Sequence, residues 1–163
     1  MRISALSGAS LLVLGLAGLA GALYYDQAHA AEWTTYAEHA NAINGPAEAL
    51  TAQVFTLIGA IAAGFGAVIS GGSAILAAVG GRIGHWMLRV AAVLILVLLL
   101  LVAAALAVGA LTGDEPAAII DTPGWLLTAE IGALMVAVLG AGMTTVNLWR
   151  FTPAEDSAEE HYA

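Results

Sequence analysis

Arg82-Ile83-Gly84-His85-Trp86-Met87-Leu88-Arg89 runs straight into an apolar stretch, Val90 to Leu111, that holds no charge, no amide and no Pro. Its 22 residues, at about 1.5 Å of rise each, make roughly 33 Å of helix against about 30 Å of bilayer hydrocarbon. The stretch reads as a membrane span. Arg and Lys collect in short loops on the cytoplasmic side, so Arg82 and Arg89 put the start of this span inside.

The rest of the composition agrees. The chain has 163 residues, is 61% hydrophobic and has a mean hydropathy of +0.91. That is too apolar for a soluble domain and too short for two membrane domains. Four Arg, no Lys and 12 acids give a net charge of −8, which argues against nucleic acid or an anionic lipid surface as a partner. The absence of Cys excludes disulfides, thiolate metal sites and thiol nucleophiles. Arg used to the exclusion of Lys in an Ala- and Gly-rich chain hints at a GC-rich prokaryotic genome.

Working outward, Arg2 precedes a first span over about 3–25 that closes on Tyr24, Tyr25 and Asp26, with the tyrosines suited to an interfacial belt. A rival reading makes this segment a secretory signal peptide with Ala28-His29-Ala30 as its cleavage site. Residues 28–43 have no Gly or Pro and are expected to form a helix along the outer membrane surface, with Trp33, Tyr36 and His39 as a docking surface. A second span over about 47–69 stops at Ser70-Gly71-Gly72, and residues 73–79 are too few to cross. The third covers about 88–111. An acidic outer loop with Pro116 and Pro123 leads to the fourth, about 124–148, which starts on Trp125. The acidic segment 151–163 is expected to be a mobile cytoplasmic tail.

All four cationic residues, Arg2, Arg82, Arg89 and Arg150, fall on one side of this scheme. The expectation is an all-α membrane protein. It is a bundle of four transmembrane helices in one domain, residues 1–150, with both termini cytoplasmic in a prokaryotic plasma membrane.

Small residues predict how the spans meet, because helices in lipid associate by close backbone approach. The second span concentrates them at Gly59, Ala60, Ala63 and Gly64, and the fourth repeats them at Ala133, Ala137 and Ala141. The second span is therefore expected at the centre, and the Leu-rich third against lipid. Glu130 shares a helical face with Ala133 and Ala137, and Gln53 with Ala60 and Gly64. An intramembrane carboxyl seeks a partner, so Glu130 and Gln53 are expected to hydrogen-bond as a structural clasp. The sharper alternative is an ion or proton site at Glu130.

Other constellations are weak. His29, Glu32, Tyr36 and His39 would share one helix face, but roughly 15 Å of helix separates the two imidazoles, so no metal site is expected. No His lies mid-span to ligate haem, and no cofactor is expected. Gly71-Gly72 and Gly80-Gly81 lack the Lys and Ser/Thr context of a phosphate loop. No enzyme activity is expected.

Two short resemblances stop at single segments. The Ala28-His29-Ala30 site with spans meeting at Gly71-Gly72 resembles the layout of conjugative pilins, from which the fourth span departs. Glu130-Ile131-Gly132 is similar to a last-span segment in small subunits of multi-subunit cation/proton antiporters, whose glycine-rich motif this chain lacks. Neither identifies a family. The functional expectation is a non-catalytic subunit of a larger respiratory or transport membrane complex, packing against other integral membrane subunits or copies of itself. The alternative is a small self-assembling ion- or proton-conducting protein using Glu130.

Overall fold

A computed structural model describes the backbone of residues 3–36, 44–79, 82–112 and 118–149, and the side chains of 6–36, 44–79, 83–101 and 121–148. The chain is built on four long helices: α1 (Ile3–Trp33), α2 (Asn44–Ala78), α3 (Arg82–Thr112) and α4 (Gly124–Trp149). Two three-residue strands join the loops at one end, β1 (Thr34–Tyr36) and β2 (Ala118–Ile120). All four helices are long and apolar enough to cross a membrane.

Each helix overruns its expected span, for a local reason. Residues 28–33 continue α1 instead of starting a surface helix, because no Gly or Pro between Ala22 and Trp33 breaks it. The helix ends where Thr34 returns its hydroxyl to the Ala30 carbonyl, 2.7 Å away. Thr34, Thr35 and Tyr36 then form a strand, as β-branched and aromatic residues favour. The expected interfacial helix over 28–43 is thus replaced as far as Tyr36, and residues 37–43, with His39, lie outside the described residues.

In α2, Ser70-Gly71-Gly72 does not stop the helix, which runs on to Ala78. Glycine costs a helix about 1 kcal/mol per residue in water. In lipid an unsatisfied backbone group costs several, so continuing is the cheaper course. With 31 and 35 residues, α1 and α2 reach roughly 46 and 52 Å, so both project beyond the hydrocarbon or tilt.

The helices pack in a ring: α1 against α4 and α2, and α3 against α2 and α4, leaving α2 and α4 diagonal to each other. The most extensive contact is α1 with α4, followed by α1 with α2. The first helix, not the second, is therefore the most engaged.

Glycines account for this. A Cβ at Gly15 would lie 2.7 Å from the Ala137 Cα and 2.9 Å from the Ala133 carbonyl oxygen, and one at Gly140 would lie 2.7 Å from the Leu12 Cα. Gly8 meets Thr144 in the same way, at 2.9 Å. These pairs fix an antiparallel seam in which the backbones touch. Towards α2 the fit is looser, with Gly59 against Leu23 at 3.3 Å and Gly64 against Ala20 at 3.8 Å.

Leu12, Leu16, Ala67, Ala92, Leu99, Ala137 and Ala141 form the central core, and Ala9, Ala77, Leu88 and Leu148 a second cluster towards the Arg89 end. Large apolar side chains such as Phe55, Phe65, Leu94 and Met135 point outward, as lipid contact requires.

Candidate functional site

Among the described residues, the end of the molecule opposite Arg89 carries the densest set of polar and aromatic groups. There the last turns of α1 bring up Tyr25, Asp26, His29 and Trp33. Tyr25 and His29 stack at 4.1 Å, His29 and Trp33 at 5.9 Å, and Trp125 from α4 meets Tyr25 edge-on at 5.7 Å. His29 Nδ1 also donates to the Tyr25 carbonyl at 2.9 Å. The i, i+4 spacing of 25, 29 and 33 makes this stack a consequence of α1 continuing past Asp26.

The strands close the same end. β1 and β2 pair antiparallel, with Thr34 opposite Ile120, Thr35 opposite Ile119 and Tyr36 opposite Ala118. Next to them the Asp121 N–H donates to the Trp33 carbonyl at 3.0 Å. The first and second loops at this end are thereby tied together. Pro123 then accepts the first N–H groups of α4, from Leu126 at 2.8 Å and Leu127 at 3.1 Å.

Beneath this cap lie two carboxylates. Asp26 is 8% exposed and accepts a hydrogen bond from the Thr122 hydroxyl at 3.3 Å. Glu130 on α4 is half-buried, lies within electrostatic reach of Asp26, and buries Oε1 without a hydrogen-bond partner. The α1–α4 seam puts Glu130 level with Ala22, about one turn deeper than Asp26. Two carboxylates and a hydroxyl offer oxygen donors of the kind that hold a proton or a hard cation.

Gln53 is not part of this group. The α1–α2 contacts put it level with Ala30, roughly 12 Å along the axis from Glu130. Its helix is also diagonal to α4. The expected Gln53–Glu130 clasp does not form, and Asp26 is the neighbour that sequence reasoning missed. The available signal was that Asp26 ends an apolar run on the helix that Glu130 faces.

The small residues are distributed unequally. Ala137 and Ala141 are fully buried on the α1 seam, and Ala133 lies 3.5 Å from the Cβ position of Gly18. Ala60 and Ala63 are buried on α2, where Gly59 and Gly64 face α1. Gly8, Gly15 and Gly140, which make the closest approaches between α1 and α4, were not singled out, although Gly8 and Gly15 are two turns apart on one face.

At the other end Arg89 Nη2 donates to the Leu148 carbonyl, one of the last four of α4, which have no partner within the helix. Arg89 is thus more than a topology anchor. It caps α4 with a cation at the negative end of the helix dipole. Arg82 opens α3, and Arg2 and Arg150 lie outside the described residues. Trp33 is half-buried in the aromatic stack, while Tyr36 is exposed.

Hydroxyls inside the helices follow one habit. Thr51, Thr56, Thr128, Thr144 and Thr145 each bond the carbonyl four residues back, at 2.7 to 3.0 Å. Ser70 and Ser73 are buried with Oγ unpartnered. Among the described residues no three His, Asp or Glu gather as metal ligands would.

A chain whose described residues form four helices of membrane-crossing length and apolarity, with one short strand pair in the loops, is a multi-pass membrane protein. Comparison with known protein families, characterised proteins and solved structures gives no match.

Proposed function

We propose that the chain is a non-catalytic integral membrane subunit of a larger complex of respiratory or transport type in a prokaryotic plasma membrane. Its four helices form a bundle with both termini cytoplasmic, and it docks through the capped end. The observation that carries this reading is the contrast between its middle and that end. The middle is an apolar core, from Leu12 and Leu16 to Ala137 and Ala141. The end presents Tyr24, Tyr36 and Trp125, all more than half exposed, on a frame held by a strand pair and an aromatic stack. Exposed aromatic residues on a rigid frame suit protein contact.

The test is extraction of the tagged chain from its own membranes in mild detergent, followed by mass spectrometry of the intact species. Stoichiometric recovery with other integral membrane subunits supports the proposal. A lone monomer rejects it.

One observation favours a second reading. Asp26 and Glu130 are a pair of acids where the sequence suggested a solitary one. A self-assembling conductor of protons or cations would use that pair. In liposomes Glu130→Gln and Asp26→Asn should then each abolish flux while leaving the fold intact. Absence of flux in the unmodified protein removes this reading.

A further inference from the structure

At the capped end the aromatic surface is rimmed by acids. Tyr25 stacks on His29 and meets Trp125 edge-on, and His29 stacks in turn on Trp33. Tyr25 is 42% and Trp125 62% exposed, so part of this surface is open. Glu32 is exposed and shares the Tyr25 and His29 face of α1, one turn and two turns away. Asp121 is also exposed, and its N–H bond to the Trp33 carbonyl holds it beside the stack. Among the described residues neither side-chain carboxylate has a hydrogen bond or ion pair.

No Arg or Lys in the sequence around this end offsets the acids. Residues 24–48 and 112–124 hold seven of the 12 acids and none of the four Arg, and the chain has no Lys. Buried Asp26 and half-buried Glu130 lie beneath the same surface. Opposed like charges reject a partner and opposite charges select one. A second copy docking by the same end would bring acid against acid, and an anionic lipid headgroup would meet the same repulsion. Arg is the side chain that both forks onto a carboxylate and lies flat on an aromatic ring.

We infer that the capped end receives an Arg-bearing segment of another integral membrane subunit, whose guanidinium groups pair with Glu32 and Asp121 and lie on Trp125 and Tyr25. This rests on the subunit reading above and names the chemistry of the partner. Arg and Lys concentrate in the cytoplasmic loops of membrane proteins, so an Arg-bearing segment at the outer face is a selective mark.

The experiment extracts the tagged full chain from its own membranes in mild detergent, at low and at high salt, and weighs the intact complexes. It compares the unmodified chain with Glu32→Gln combined with Asp121→Asn, which spares the backbone bond of Asp121. Subunit recovered per unmodified chain should fall as salt screens the pairs. The double variant should recover about tenfold less at low salt, show no further fall with salt, and keep its helix content and melting. A photo-crosslinker at Trp125 should join a peptide of the recovered subunit that contains Arg.

Recovery indifferent to the double variant, or a joined peptide without Arg, would overturn the pairing and leave the subunit reading standing. No subunit from the unmodified chain at low salt would overturn both. Two other results would overturn the pairing by naming a different occupant: loss of the subunit on adding EDTA, which assigns the acids to a bridging divalent cation, or recovery of a homodimer alone.

Discussion

Gly15 of α1 lies against the backbone of Ala137 of α4, leaving no room for a Cβ. This contact and its neighbours at Gly8 and Gly140 make α1 and α4, the first and last helices of the chain, its tightest pair. Gly15→Ala or Gly140→Ala should therefore force the helices apart and cost about 1–3 kcal/mol, the usual penalty of overpacking. Gly132→Ala is the control, since a Cβ there meets nothing within 4 Å. It should be neutral or stabilise by up to about 1 kcal/mol through helix propensity. Reversible unfolding in mixed detergent micelles reads both, and equal effects at the three positions would refute the seam.

Arg89 reaches across from α3 to the Leu148 carbonyl of α4. Hydrogen bonds to charged groups are worth roughly 1.5–3 kcal/mol, so Arg89→Ala should lower stability by about that amount. Arg89→Lys should recover only part, because an ammonium keeps the charge but not the planar fork. The same unfolding assay checks this. Full recovery by Lys would mean that charge alone matters.

The strand pair gives a yes-or-no test of the capped end. The chain has no Cys, so introduced pairs can be read without background. Thr35 and Ile119 are directly opposed, where Cβ atoms lie about 4.5–5.5 Å apart. Thr35→Cys with Ile119→Cys should therefore cross-link on mild oxidation. Gln53→Cys with Glu130→Cys should not, being roughly 12 Å apart along the axis. Gel mobility decides, and the opposite pattern would restore the clasp read from the sequence.

Thr122 and Glu130 should respond in opposite senses. Thr122→Val removes the donor to buried Asp26 and should destabilise by about 1–3 kcal/mol. Glu130→Gln replaces a carboxyl that lies within electrostatic reach of Asp26 and has an oxygen without a partner, so it should be neutral or stabilising. A large loss of stability on Glu130→Gln would point to a partner for that carboxylate.

Hydropathy alone located the four helices, because a span is defined by length and apolarity. Their ends were harder to read. Ser70-Gly71-Gly72 breaks helices in water, but in lipid the backbone has no other partner for its hydrogen bonds, so α2 runs on to Ala78. The Thr34–Tyr36 strand depends on Ala118–Ile120, more than 80 residues away, and no local pattern reveals such a partner. The site was half legible for a similar reason. Glu130 stood out as an acid within an apolar stretch, but its neighbour depended on which helices are adjacent. The density of small residues in α2 pointed to the wrong helix as the centre, because a few well-placed glycines on α1 outweigh many on a looser face.

Docking through the capped end is tested most directly by photo-crosslinking in native membranes, with the crosslinker placed in turn at Tyr36, Trp125 and Leu98. Tyr36 and Trp125 should each give one adduct of the same defined mass, an integral membrane protein recovered in fixed ratio with this chain, while Leu98, on the lipid-facing side of α3, should give none. No adduct from the capped end, or adducts from all three positions alike, would contradict the account.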